Sequence, residues 1–210
     1  MVCESQHGVL YPLTIGDEVN FRLTYDGPLK AASQSETRRL EKQAIRCVFS
    51  RQLLQLYTNH DARFLDTEWE SEPPLPVKRG EFGCLALIRE RLNLVCDLDI
   101  LFLRRENPGH LIHHGGDIDN RIKVLFDSLR VPQDDQEVRG CKPEGSGQGS
   151  NLLFCLTEND SLITGFRVTT DQLLEPPASP TEQNNVQLVI NVEVKATKLT
   201  PENMAYFSHF

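Results

Sequence analysis

Asp117-Ile-Asp119-Asn120 is followed after two residues by Lys123, and a second acidic pair, Asp134-Asp135, comes just beyond Pro132. Carboxylates gathered in one place repel one another unless they share protons or bind a cation. Asp117 and Asp119 alternate by two, so both side chains leave an extended backbone on the same side. Hard oxygen donors of this kind suit Mg²⁺ or Mn²⁺, which keep several waters and accept phosphate oxygens. Lys123 lies one helical turn beyond Asp119. An ammonium there can meet a phosphate beside the metal and stabilise the charge that develops on it. Asn120 adds a neutral donor and acceptor that can orient a carboxylate. A purely structural reading competes with this chemistry. Asp-x-Asp pairs also cap helices and fill turns, and Asp119, Lys123 and Asp127 make an i,i+4 ladder suited to a solvated face.

Positioning these groups requires a short helix. Ile122, Leu125, Phe126 and Leu129 repeat at the spacing of one buried stripe. Two glycines, 115 and 116, precede Asp117, and either Asp117 or Asp119 can cap the helix. After Val131, Pro132 forbids continuation and forces a turn that delivers Asp134 and Asp135. The helix thereby acts as a spacer between two acidic clusters.

The run from Asp117 to Lys123, the Phe126-Asp127-Ser128-Leu129 segment and Asp134-Asp135-Gln136 together resemble the signature of RusA-type Holliday junction resolvases. The resemblance is specific over roughly 25 residues and schematic elsewhere. It implies a homodimeric, Mg²⁺-dependent endonuclease, with Asp117, Asp119 and Asp135 as metal ligands, Asp134 beside them, and Lys123 as the catalytic lysine. The connection to the double aspartate is short, and a Gly-, Ser- and Cys-containing stretch follows it. Both features depart from the family pattern.

A formal net charge of −8 runs against casual nucleic-acid binding, which leaves a basic footprint. The charge is unevenly spread. Residues 1–20 carry three acids and no Lys or Arg, residues 151–210 carry seven acids and three bases, and residues 21–150 hold 20 acids against 19 bases. A basic groove in the middle of the chain is therefore compatible with the composition. Candidate phosphate contacts are Arg38, Arg39, Lys42 and Arg46 on one predicted helix, with Arg121 and Arg130 flanking the motif helix. The alternative for the first four is an ordinary charged, solvated helix face. The six cysteines show no C-x-x-C spacing and read as reduced, mostly buried thiols. No run approaches 18 apolar residues and the first residues do not form a signal peptide, so a cytoplasmic protein with no membrane association is expected.

Along the chain, residues 1–20 read as an N-terminal arm, and 20–25 as a strand that ends at Asp26-Gly27-Pro28. Ser33-x-x-Glu36 has capping-box spacing and opens a helix over 35–57, with Leu40, Ala44, Cys47, Val48 and Leu54 on its inner side. Residues 66–76, acidic around Trp69 and then proline-rich, read as a loop. Residues 81–89 and 92–105 read as strands forming a hairpin about Glu90-Arg91. Asp97-x-Asp99 lies within the second of these and fits the exposed face of a strand better than a second acidic site. His110, His113 and His114 occupy a Gly-rich loop before Asp117; without helical context their spacing is a weak ligand pattern and reads first as plain loop, with a phosphate contact as reasonable as metal binding. Residues 141–150 form a flexible loop, 152–156, 161–169 and 186–196 are strands, and 200–210 form a tail.

The expectation is a single α+β domain over residues 1–210, a mixed sheet packed by two main helices, RusA-like in type. Its expected activity is phosphodiester hydrolysis on branched DNA in recombination or repair, by a two-fold dimer with Mg²⁺ or Mn²⁺ at paired sites. Two other functions stay open: a non-enzymatic interaction protein that keeps the fold, and a metal-dependent enzyme acting on a small phosphorylated substrate.

Overall fold

The computed structural model describes residues 19–29, 35–59, 76–105, 118–141, 151–176 and 185–207. Its elements are β1 (Val19–Pro28), α1 (Ser35–Asn59), β2 (Val77–Arg79), β3 (Phe82–Ile88), β4 (Leu94–Arg104), α2 (Ile118–Leu129), β5 (Leu152–Thr157), β6 (Ile163–Gln172), β7 (Asn185–Ala196) and α3 (Pro201–Phe207). The arm before residue 19, the acidic and proline-rich loop, the three histidines and the 142–150 loop lie outside the described residues. Among the described residues no helix is long and apolar enough to cross a membrane.

The architecture is α+β, with parallel and antiparallel strands divided between two sheets. In the larger sheet the order is β1-β7-β4-β6. The long strand β7 alternates buried and half-exposed residues along its length. It pairs antiparallel with both β1 and β4, while β4 pairs parallel with β6. The smaller sheet runs β2-β3-β5, antiparallel then parallel. One apolar core lies between the larger sheet and the helices, built from Leu98, Ile100, Ile190 and Val192 of the sheet, Ile45, Phe49 and Leu53 of α1, and Val124 and Leu125 of α2. A smaller cluster around Phe82, Val131, Val138 and Leu153 sits beneath the smaller sheet.

The expected hairpin is replaced by a divergence. Both strands form, but β3 and β4 enter different sheets and do not pair with each other. A 3₁₀ turn at Glu90–Leu92 and Asn93, in the left-handed region at φ 54°, separate them. β3 is buried on both faces from Cys84 onward and takes β5 as a parallel partner, whereas β4 alternates and gives one face to the core. An uninterrupted apolar run of this kind belongs to a strand covered on both sides, a position a two-strand hairpin cannot provide.

Residues 201–207, expected within a tail, form the helix α3. Within α3, Asn203 is fully buried; its amide nitrogen donates to the Leu92 and Lys198 carbonyls at 2.9 and 2.7 Å, and its Oδ1 accepts from the Thr200 amide at 2.9 Å. These bonds fasten the C-terminal helix to the turn that separates β3 from β4.

On β4, Asp97 and Asp99 stand on the sheet face opposite the core, as strand alternation requires. Asp97 accepts hydrogen bonds from Lys195 and Thr164, both at 2.8 Å, and the Lys195 bond is the first cause of its depressed pKa. This Asp-x-Asp belongs to cross-strand pairing on the outer sheet face.

Candidate active site

α1 turns a partly polar stripe inward. Ile45, Phe49, Leu53 and Tyr57 are buried, and so are Gln43, Arg46 and Ser50. Leu40, expected on the inner side, is 50% exposed, Ala44 is exposed, and Cys47, Val48 and Leu54 are half-buried. The expected face is rotated because apolar periodicity cannot count buried polar residues whose partners lie on other elements. Ser50 Oγ accepts from the Phe154 amide at 2.9 Å, which fastens α1 to β5.

Arg46 is the clearest correction. Expected at a phosphate-contacting surface, it is only 1% exposed. Its Nη2 donates to the Asp127 carbonyl and to Glu137 Oε2, both at 2.7 Å. Arg130, 3% exposed, donates from Nη2 to Asp127 Oδ1 and Glu137 Oε1, both at 2.9 Å. Lys42 donates to the other Asp127 oxygen. Burial pushes the Asp127 carboxyl up, but Lys42 and Arg130 together outweigh it and hold the pKa below the ordinary value. Arg130 is likewise pushed down by burial and raised on balance by Glu137 and Asp127. Arg121 is buried in the first turns of α2. Arg46, Arg121 and Arg130 are therefore interior groups, whereas Arg38, Arg39 and Lys42 line an open cleft.

That cleft, of about 600 Å³, lies among α1, α2 and the turn that follows α2. Its walls carry Arg38, Arg39 and Lys42 from α1, Lys123 and Asp127 from α2, and Asp134, Gln136 and Glu137 from the turn. The part of α2 beyond Lys123 runs about 9 Å to Leu129, so the turn must fold back along the helix for Asp134 to share a cleft with Lys123. Three sets of contacts hold it there. Asp134 caps a 3₁₀ turn, Asp135–Val138, by accepting the amides of Gln136 and Glu137 at 2.9 and 3.1 Å. Asp135 Oδ1 accepts the Gly80 amide at 2.8 Å, and Arg79 Nε donates to the Pro132 carbonyl at 2.7 Å. Glu137 joins the buried arginines. Gly80 has φ +56°, and an added Cβ would stand 3.2 Å from Val138 Cγ2. Gly80→Ala should accordingly cost about 1–2 kcal/mol through backbone strain, read as a lower urea midpoint; an unchanged midpoint would show that the turn tolerates a side chain.

The positions named from sequence are thus divided. Lys123 and Asp134 both line the cleft. Asp135 points its Oδ1 at the β2–β3 turn, Asp119 is exposed in the first turn of α2, and neither lines the cleft. Asp117 lies outside the described residues. Among the described residues no group of three or more His, Cys, Asp or Glu side chains is arranged to hold a metal ion. The described carboxylates alone therefore do not make the implied Mg²⁺ or Mn²⁺ site. Asp127, which the i,i+4 spacing assigns to a solvated face, is buried, and Glu137 joins the site from outside the sequence candidates. The signal for Glu137 was available: Asp134-x-x-Glu137 has capping-box spacing, although the Glu137 carboxylate goes to arginines instead of back to the cap.

The five described cysteines are all free thiols; burial pushes the Cys96 thiol up to about 12, with Asp97 adding to the effect. No protein-family model matches the chain, and neither the curated proteins nor the solved structures provide a match.

Proposed function

We propose that the protein is a metal-dependent endonuclease of the Holliday-junction-resolvase type, acting on branched DNA. The observation that carries this reading is the sharing of one cleft by Lys123, from the Asp-x-Asp-Asn-x-x-Lys motif, and Asp134, from the double aspartate, opposite the cations of α1. The contacts of Glu137, Asp135 and Arg79 that hold the turn against the helices bring the two motif segments to the same cleft.

In this reading the chain's own residues divide the work. Arg38, Arg39 and Lys42 hold the phosphate backbone by charge. Lys123, which makes no hydrogen bond or ion pair among the described residues, is available to a non-bridging phosphate oxygen as negative charge builds. Asn120 and Asp119 stand one turn earlier on the same helix. When bound, Mg²⁺ or Mn²⁺ would supply Lewis-acid activation of water. A two-fold dimer would present two such clefts to the two strands of a junction.

The test is cleavage of a four-way junction, a flap and a linear duplex by the purified chain with Mg²⁺, Mn²⁺ or EDTA. Metal-dependent cutting of the branched substrates over the duplex is expected. Binding without any cutting in either metal would favour a non-enzymatic protein. Junction binding should also weaken steeply with salt, and the Arg38→Ala/Arg39→Ala variant should show a slope of log affinity against log salt shallower by about 2. An unchanged slope would remove α1 from the DNA contact.

A further inference from the structure

The cleft holds more positive charge than its carboxylates neutralise. Asp127 is engaged by Lys42 and Arg130, Glu137 by Arg46 and Arg130, and one oxygen of Asp134 by two backbone amides. With the two arginines beneath the cleft counted, six cations meet the three carboxylates that line it and a fourth, Glu36, paired with Arg39. This occurs in a chain of net charge −8, so the excess is local and not a reflection of overall composition. Arg38 and Lys123 have no hydrogen bond or ion pair among the described residues, and Arg39 has only Glu36, at 3.9 Å and largely exposed. The Nε atoms of Arg38 and Arg39 are shielded from solvent and make no hydrogen bond. Confined like charges raise the energy of the folded state unless an anion meets them. Guanidinium forks and an ammonium lining one cleft match the oxygens of a phosphate group.

We propose that this cleft is a phosphate-binding site that works without a metal ion and prefers phosphate carrying two negative charges, a phosphomonoester or a diphosphate, to an internal phosphodiester. The physical basis is the attraction of Arg38 and Lys123, which have no described partner, and of Arg39, which meets only the exposed Glu36 at 3.9 Å; that attraction grows with ligand charge. The proposal rests on the nuclease reading for the identity of the polymer, and it names the terminal phosphate of a DNA strand as the group the cleft holds best. Free inorganic diphosphate shares that chemistry, and separate arms of the experiment distinguish the two sources.

Binding would be measured on the full chain in EDTA, with a short single-stranded oligonucleotide carrying a phosphate at its 5′ end, at its 3′ end, or at neither, and with inorganic pyrophosphate as ligand and as competitor. A terminally phosphorylated oligonucleotide should bind about tenfold more tightly than the unphosphorylated one, equivalent to about 1.4 kcal/mol, and pyrophosphate should displace it. Tight pyrophosphate binding with equal affinity for all three oligonucleotides would assign the site to a small phosphorylated ligand and overturn the strand-end form of the proposal. Arg38→Ala/Arg39→Ala should abolish the preference, while Arg22→Ala, on the exposed face of β1, should leave it intact. Should the double alanine variant be unstable, Arg38→Gln/Arg39→Gln keeps the side-chain length and serves the same purpose. Absence of any preference, or an equal loss in Arg22→Ala, would overturn the proposal. The assay uses neither metal nor cleavage. Phosphate binding in a chain that never cuts DNA would thus sink the nuclease reading alone, and cutting without the preference would sink this one alone.

Discussion

Asp127→Asn should lower the stability of the fold by about 3 kcal/mol at neutral pH, the largest stability effect expected of any near-isosteric change at this site. Asparagine retains the shape and one acceptor of the carboxylate but removes the charge that Lys42 and Arg130 both meet. Those two cations would then remain, largely buried, against a neutral amide. The pH dependence follows from the depressed pKa of Asp127. A carboxyl held below its unfolded value of about 3.9 contributes stability that is fully present above that value and is lost as pH falls through the folded value. The gap between wild type and Asp127→Asn in urea unfolding should stay constant from neutral pH down to about 5 and close at lower pH. A gap that persists undiminished well below that range would mean that the charge of Asp127 is not what stabilises the fold.

Lys123→Ala should reduce the rate of metal-dependent junction cleavage by about 10²–10³-fold, the usual loss when one preorganised donor to developing charge is removed. Junction affinity should fall only a few-fold, because Lys123 is one cation among several around the cleft. Its side chain is exposed and has no described partner, so the melting temperature should barely move. A drop confined to turnover would identify an interaction made in the transition state. Cleavage at the wild-type rate would take Lys123 out of the mechanism, and an equal drop in affinity and rate would make it a binding residue only. Reading Lys123→Ala beside Asp127→Asn separates the two layers of the site, since the first removes a solvent-facing cation and the second disturbs the buried ions below it.

The buried ions explain how an acidic chain builds a basic cleft. Arg46 and Arg130 sit beneath the surface and occupy Glu137 and Asp127, so the carboxylates nearest the cleft face inward to cations while Arg38, Arg39 and Lys123 face outward. Glu137 also ties the turn bearing Asp134 to α1 and, through Arg130, to the end of α2. The two helices and the turn are consequently fixed to one another by charge as well as by apolar packing, and the position of Asp134 relative to Lys123 depends on that fixing.

Much of this protein was determined by local pattern. The apolar stripe of α2, the proline that ends the segment after it and the strict alternation of β7 each depend on residues close in the chain, and local pattern of this kind produced the α+β class and the approximate extents of α1, β4 and β7. Only the tertiary structure decided what depends on partners far away in sequence. β3 and β4 follow one another yet join different sheets, because the number of buried faces of a strand is set by what packs on it. Arg46 and Arg130 carry the same side chain as Arg38 and Arg39, yet the first pair lies inside and the second lines the cleft, because Asp127 and Glu137 reach one pair and not the other. Asp134 and Asp135 are adjacent residues with opposite fates for the same reason: one caps the turn beside Lys123, and the other is drawn to the Gly80 amide, 55 residues away in the chain. A residue's type states what charge it can carry, and the fold decides which opposite charge it meets.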